Sequence, residues 1–391
     1  MWSAIEPVGR DAASGGYRRF AWTRADHDLR EWFAGECASR GLDLTTDRAG
    51  NQWGWWGDPD AAVAAGRPGV VIGSHLDSVP DGGAFDGPLG VVSALAAVDA
   101  LRADRFAPSR PIGVVNFADE EGARFGIACA GSRIITGQHA GDRARGLTDA
   151  DGVSLGEAFA RAGGRADDLG ADGETLRRVG CFVEQGRALV DTGDPVAIGT
   201  GLWPHGRWRI DFPGQANHAG TTALADRQDA MIGYAHTVLA TRAAAEQRGC
   251  LATVGKVTVR PGGVNAIASA VTGWLDARGA DEAAVLDAVA DISAVAASFG
   301  ATVQRESWTP PTSFDAGLAD RLQAVLGPGV PRLGTGAGHD AGILAVHGIP
   351  TAMLFVRNPT GISHSPAEFA ERDDCHAGVR ALAEVVRDLA A

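Results

Sequence analysis

Apolar residues along this chain recur with two periods, and the switches between them mark its elements. Over 22–40 they fall at Leu29, Trp32, Phe33 and Cys37, a helical spacing closed by Gly41. Residues 42–47 read as a strand and 48–51 as a turn, while Trp53, Trp55 and Trp56 read as core or edge packing. Val70-Val71-Ile72 is a β-branched run expected of a buried strand, and 111–117 is a second. Between them Val91, Val92, Leu95, Val98 and Leu101 predict a helix. A strand-helix-strand unit is parallel and right-handed by strong preference, so the segments after both strands leave one edge of one sheet. Open α/β sheets carry their sites at that edge. Further on, 155–162 predicts a short helix, 166–177 a polar surface connection, 181–184 reads like a strand and 375–389 predicts an amphipathic helix packed on the sheet.

Within 199–312 the pattern is different. Residues 207–212 alternate as a strand, 228–247 carry the period of a long helix, and 251–259 and 270–278 are strands. A second helix over 282–296 and a strand over 301–304 complete the order β-α-β-β-α-β, that of a ferredoxin-like sandwich. The expected fold class is α/β in two domains. A mixed-sheet domain in two parts, 1–198 and 313–391, surrounds an inserted α+β domain, 199–312.

Composition narrows the function classes. A chain of 391 residues suits two domains, and 45% hydrophobic with 21% charged residues describes an ordinary globular protein. The net charge of −13 argues against nucleic acid and anionic membrane as partners, yet leaves room for a small anionic substrate bound by local arginines. Five scattered cysteines without a CxxC pair fit a reducing compartment. The start lacks a basic region followed by an apolar run, and no apolar stretch approaches ~20 residues, so neither a signal peptide nor a membrane span is expected. The expected location is the cytoplasm.

The chemistry gathers where the two parallel strands end. His75-Leu76-Asp77 follows the first, the glycine-rich loop Asp81-Gly82-Gly83-Ala84-Phe85-Asp86-Gly87 comes next, and Asp119-Glu120-Glu121 follows the second. One imidazole and several carboxylates without a cysteine make a site for Zn²⁺, Mn²⁺, Co²⁺ or Ni²⁺. Asp77 is placed to orient His75, and Asp86 to bridge two metals. Of the paired glutamates, one can bind metal and the other can take a proton from water. Any one of these acids alone reads equally well as a solvated strand-end residue; the ordered set does not.

Gly73-Ser74-His75-Leu76-Asp77-Ser78-Val79, Gly82-Gly83-Ala84-Phe85-Asp86-Gly87 and Phe117-Ala118-Asp119-Glu120-Glu121-Gly122-Ala123-Arg124-Phe125 resemble the M20-type metallo-amidohydrolases. The branch is that of N-carbamoyl-L-amino acid hydrolases, allantoate amidohydrolases and β-ureidopropionases, and the resemblance covers nearly the whole chain. It implies Glu120 as general base, Asp77 orienting His75, and His75, Asp86, Glu121 and His364 as ligands of one or two divalent metals. His364 lies in Gly361-Ile362-Ser363-His364-Ser365-Pro366-Ala367-Glu368. Gly214-Gln215-Ala216-Asn217-His218-Ala219-Gly220-Thr221-Thr222 matches a lid motif whose histidine polarises the scissile carbonyl. By the same resemblance His218 reaches the site of a partner subunit, the lid carries a homodimer contact, and Asn265 and Arg278 hold the substrate carboxylate. Gln185, His205 and His339 complete the implied substrate-binding set, although Trp203-Pro204-His205-Gly206 departs from the family wording, in which a glutamine stands near His205. His27, His139, His236, His347 and His376 fall in no such motif and read as structural or surface residues.

One expected ligand is missing. The family pattern Glu-Leu-His-x-Glu-Gln-Gly carries a metal-binding histidine, whereas this chain reads Gly180-Cys181-Phe182-Val183-Glu184-Gln185-Gly186-Arg187. Either Phe182 replaces the histidine or a few residues that include it are absent. Cys181-Phe182-Val183-Glu184 reads like the strand upstream of the ligand and favours the second. The metal position served by His75 and Asp86 is the one weakened, and Asp86, Glu121 and His364 remain for the other. The implied activity is hydrolysis of a linear C–N amide or amidine bond in an N-carbamoyl or ureido amino acid. The alternatives are an N-formyl- or formimino-amino acid hydrolase, a dipeptidase or deacylase of the same fold, and an impaired member that only binds ligand.

Overall fold

A computed structural model describes residues 1–188 and 192–391, so the last positions of the segment 179–190 lie outside the described residues. In chain order the strands are β1 (Asp43–Thr46), β2 (Gln52–Trp56), β3 (Gly69–His75), β4 (Ile112–Phe117), β5 (Val179–Ala188), β6 (Val196–Leu202), β7 (His205–Pro213), β8 (Leu251–Arg260), β9 (Ala270–Arg278), β10 (Thr302–Thr309), β11 (Thr312–Ser313), β12 (Arg332–Thr335) and β13 (Thr351–Arg357). Contacts divide the chain into one unit of Met1–Gly201, Ser313–Leu333 and Gly338–Ala391, and a second of Leu202–Thr312 with Gly334–Ala337.

The first unit is built on a mixed sheet ordered β1-β2-β4-β3-β5-β13-β6-β11, with β12 on β6. Its centre, β4-β3-β5-β13, is parallel, and β2 and β6 flank it antiparallel. Every residue of β3 and β4 is buried, as their unbroken apolar runs predict for strands covered on both faces. The helix Pro88–Ala103 buries Leu89, Val91, Leu95, Val98 and Leu101 against this sheet. Proline stands at its first turn, where the missing N–H costs nothing. The helix Arg372–Ala390 packs beside it through Leu382, Val385, Val386 and Leu389. Each such leucine or valine taken out of water contributes roughly 1.5–3 kcal/mol. Trp53 and Trp55 are almost fully buried with rings 6.4 Å apart and near parallel. The polar stretch 166–177 is less of a surface connection than its composition suggests: Gly173–Arg177 is a short helix, capped by Asp172, that buries Thr175 and Leu176. Two apolar-side positions at the end of an acidic run suffice to dock it.

The second unit is an antiparallel sheet ordered β10-β7-β9-β8 with the helices Ala230–Arg248 and Glu282–Ser298. Its element order is β-α-β-β-α-β. Trp208, Ile210 and Phe212 of β7, Leu275 of β9 and Val285 and Ile292 of the second helix form its core. No helix among the described residues is long and apolar enough to cross a membrane.

Candidate functional site

In the first unit β3 and β4 run parallel with His75 level with Phe117, so the segments after them leave one edge. Two buried side chains hold the segment that leaves β4. Asn51 accepts a hydrogen bond from the Ala118 amide at 2.8 Å. The Asp77 carboxylate accepts from the amides of Glu120 at 3.1 Å and Glu121 at 3.0 Å, and its Oδ1 stands 3.3 Å from His75 Nδ1. One carboxylate therefore fixes both the imidazole and the two glutamates. The Asp86 loop is held by Glu368, which accepts from the Phe85 and Asp86 amides at 2.7 and 3.1 Å. Gly87 follows with φ of 81°, and a Cβ there would stand 2.5 Å from the His75 ring. Only glycine lets the loop pass so close to the imidazole.

Two groups of donor atoms result, each within 4.8 Å of one another: His75, Glu120 and Glu121, and Asp86, Glu121 and His364. His75 Nε2 lies 3.7 Å from Glu120 Oε2, and His364 Nε2 lies 3.5 Å from Glu121 Oε2 and 3.6 Å from Asp86 Oδ2. His364 and Asp119 hold backbone φ of 55° and 54°, a left-handed conformation that costs a non-glycine residue of order 1 kcal/mol.

The electrostatics are those of acids crowded away from water. Burial, then the neighbouring acids Asp86 and Asp77, pushes the Glu121 carboxyl up to about 8. Burial also drives Glu120 well above the carboxylate range, with Asp340 and Glu121 adding to it and His75 opposing. The His75 imidazole, which burial alone would lower, is held well above its ordinary value by Glu120 and Asp77. Asp86, which burial alone would raise, is drawn down to about 2 by Arg187 and by His75, His339 and His364. Carboxylates forced toward protonation beside imidazoles are the donor set a divalent cation relieves. Asp86, Glu121 and His364 fit such an ion with three N/O ligands.

The register of β5 decides between the two readings of the lost histidine. Phe182 is level with Val71 and fully buried edge-on to Phe117, and Gly73 is level with Glu184. Phe182 thus lies four residues, ~13 Å, short of the rim where His75 sits. The rim position on β5 is Gly186, two residues beyond Glu184, and it has no side chain to offer. The structure favours the deletion. Glu184 is fully buried on the site side of the sheet, accepting from Ser74 Oγ at 3.1 Å and the Ala341 amide at 2.8 Å. His339 Nδ1 stands 3.6 Å from Glu184 Oε1, whose hydrogen bond and charge raise the imidazole against its burial.

Gln185 is not brought to the cluster. It alternates to the opposite face, buried against the C-terminal helix, where a Cβ on Gly378 would come 2.8 Å from its Nε2. Its amide finds no partner among the described residues. The physical reason is the two-residue period of the strand: with Glu184 turned to the site, Gln185 must turn away.

In the second unit the implied residues form two separate groups. His218 and Asn265 are exposed neighbours: His218 bridges to Ala266, Ala219 N donates to the Asn265 carbonyl at 2.9 Å, and Gly220 N donates to His218 Nδ1 at 3.0 Å. His205 faces Arg278 across β7 and β9. Arg278 donates to Asp276 at 2.6–2.8 Å and to the Gly336 carbonyl at 2.9 Å. The first group lies before the start of β9 and the second at its end, and β9 from Ala270 to Arg278 spans ~26 Å. Within one chain Asn265 and Arg278 therefore do not meet.

Three contributors went unread in the sequence. Arg187 reaches Glu368 at 2.5 Å, Ser363 at 3.0 Å and Asp86 at 3.5 Å, and Ser363 Oγ donates to Asp86 at 2.9 Å. The available signal was slight: an arginine three residues beyond Glu184 on a strand otherwise apolar before that glutamate.

Comparison with known proteins agrees with this geometry. The family model described as peptidase family M20/M25/M40 matches residues 71–388. The chain is 35% identical to the N-carbamoyl-L-amino acid amidohydrolase of Geobacillus stearothermophilus over 100% of this chain and 98% of that one. It is 30% identical to the allantoate amidohydrolase of Escherichia coli over 99% and 96%. A crystal structure of an amidase of the hydantoinase/carbamoylase family from Burkholderia multivorans superposes with a TM-score of 0.85 at 29% identity, covering 100% of this chain and 96% of that one. With more than three quarters of its length matched and relatives spanning it end to end, the chain belongs to peptidase family M20/M25/M40, a family of metal-dependent hydrolases.

Proposed function

We propose that this protein hydrolyses the ureido-type C–N bond of an N-carbamoyl or ureido-substituted acid. The observation that carries the reading is the Asp77 carboxylate gripping the amides of both Glu120 and Glu121 beside His75; the relatives named for N-carbamoyl-L-amino acids and allantoate supply the bond type. Asp86, Glu121 and His364 would hold a divalent ion, with Zn²⁺, Mn²⁺, Co²⁺ or Ni²⁺ matched by the N/O donors. When bound, the ion supplies positive charge for the carbonyl oxygen and makes water acidic enough to react at neutral pH. Glu120 takes the proton of the attacking water and returns it to the leaving nitrogen. Asp77 keeps His75 and the glutamate backbone in place throughout.

The lid residues imply a second chain. A small substrate cannot span ~26 Å, so His218 with Asn265 and Arg278 with His205 serve one substrate only if different subunits supply them. We assign the homodimer contact to the lid, whose edge strand β8 exposes Leu251 and Val257 and whose helix exposes Ile232 and Leu239. His218 then polarises the scissile carbonyl and Arg278 grips the carboxylate, leaving Asp276 to do so. Five cysteines without a disulfide fit the cytoplasm.

The test is a substrate panel on protein supplied with Mn²⁺ or Zn²⁺: N-carbamoyl-L-amino acids, allantoate, N-formylglutamate and dipeptides, scored by amine or ammonia release. Turnover of the first two above the rest supports the reading; preference for formyl substrates or dipeptides replaces it. Gly186 at the ligand position favours one rival, the impaired member, and a metal-loaded chain that turns over nothing would establish that rival.

A further inference from the structure

The Arg187 side chain is buried, 5% exposed, at the end of β5. Its Nη2 lies 2.5 Å from Glu368 Oε1 and 3.5 Å from Asp86 Oδ2, and it donates to Ser363 Oγ at 3.0 Å. Asp86 Oδ2 is the same oxygen that stands 3.6 Å from His364 Nε2. Glu368 in turn receives the Phe85 and Asp86 amides, so Arg187, Glu368 and the Asp86 loop form one unit. The guanidinium therefore sits against a carboxylate that belongs to a candidate ion-binding group. A guanidinium keeps its charge across the accessible pH range and cannot be displaced as an ion can.

We propose that Arg187 is the fixed second cation of this centre, standing in for a second metal ion, so that the chain binds one divalent ion on Asp86, Glu121 and His364. Two features of the site agree. Beside His75 the rim of β5 carries Gly186, which donates nothing to a second ion. Any dication on Asp86 meets the guanidinium across that carboxylate, a repulsion of several kcal/mol at an effective dielectric constant of about 20, and a second ion would incur it on top of its repulsion by the first. Arg187 acts through Asp86 and is a positioning residue: its charge stands against Asp86 Oδ2, the oxygen that also faces His364, and opposes part of the charge an ion there brings.

The inference rests on the metal-dependent reading of the site, and its test needs no turnover. Full-length protein stripped with chelator is titrated with Mn²⁺ and with Zn²⁺, and bound ion is counted by equilibrium dialysis and elemental analysis. The expected wild-type count at saturation is one ion per chain; a count of two overturns the proposal. Arg187→Gln removes the charge but keeps a donor for Glu368. It is expected to bind its ion at least about tenfold more tightly or to take up a second. Arg187→Lys is expected to bind one ion with affinity within about threefold of wild type. Unchanged or weaker binding by folded Arg187→Gln overturns the proposal, because a purely structural arginine predicts that result. Arg187→Met is the second neutral variant should Arg187→Gln not fold. A chain that binds one ion in this pattern yet hydrolyses no ureido compound defeats the proposed function and leaves this inference standing.

Discussion

Among individual residues, Glu120 carries the sharpest expectation. It is 5% exposed, 3.7 Å from His75, and its carboxyl does not appear in the Asp86, Glu121 and His364 group. Glu120→Gln keeps the shape and removes the base, so activity should fall by about 10²–10⁴-fold while ion content stays at the wild-type value. Loss of the ion together with activity would make Glu120 a ligand instead. Glu120 stood out in the sequence because two glutamates after a buried strand have no packing duty. Arg187 did not, because its meaning depends on Asp86 and Glu368, 101 and 181 positions away in the chain.

At the scale of elements, the rim formed by the ends of β3, β4 and β5 concentrates acids whose burial raises them: Glu121 and Asp340 to about 8, and Glu120 well above its ordinary range. The folded ion-free protein thus holds protons that the unfolded chain releases near pH 4. The stability these groups contribute is fully present below about pH 4 and is lost as pH rises through about 8. In chelator, the melting temperature should fall from pH 5 to pH 8.5. Adding Mn²⁺ should restore more at pH 8.5 than at pH 5, because the ion binds the ionised carboxylates. A melting temperature that rises with pH in chelator would contradict the assigned shifts. The elements themselves followed their apolar periods closely. Where the pattern misled, over 166–177, two side chains found a packing partner that composition does not announce.

For the whole molecule, the lid poses the question of assembly. Ile232 and Leu239 lie seven residues apart on one helix face, 53% and 71% exposed. Replacing both with aspartate should convert a dimer to a monomer in sedimentation. Hydrolysis should fall with it if His218 and Asn265 serve the other subunit's substrate. A sedimenting mass that does not change, or a monomer with full activity, would remove the partner from the mechanism. The ~26 Å between the two lid groups is invisible to a motif search, which reads Asn265 and Arg278 as near neighbours in one binding set.

The sequence by itself determined the two-unit α/β architecture, the parallel strands and the rim of His75, Asp77, Asp86, Glu120 and Glu121, because each arises from local periodicity and from the handedness of one crossover. Set beside the family pattern, it also implied a missing histidine. Only the tertiary structure decided which residue of β5 stands level with His75, since strand register is set by pairing between residues more than a hundred positions apart. That register put Gly186 at the rim, turned Gln185 away from it and left Arg187 beside Asp86. A side chain's neighbours across a sheet are a property of the packed molecule, and no local pattern encodes them.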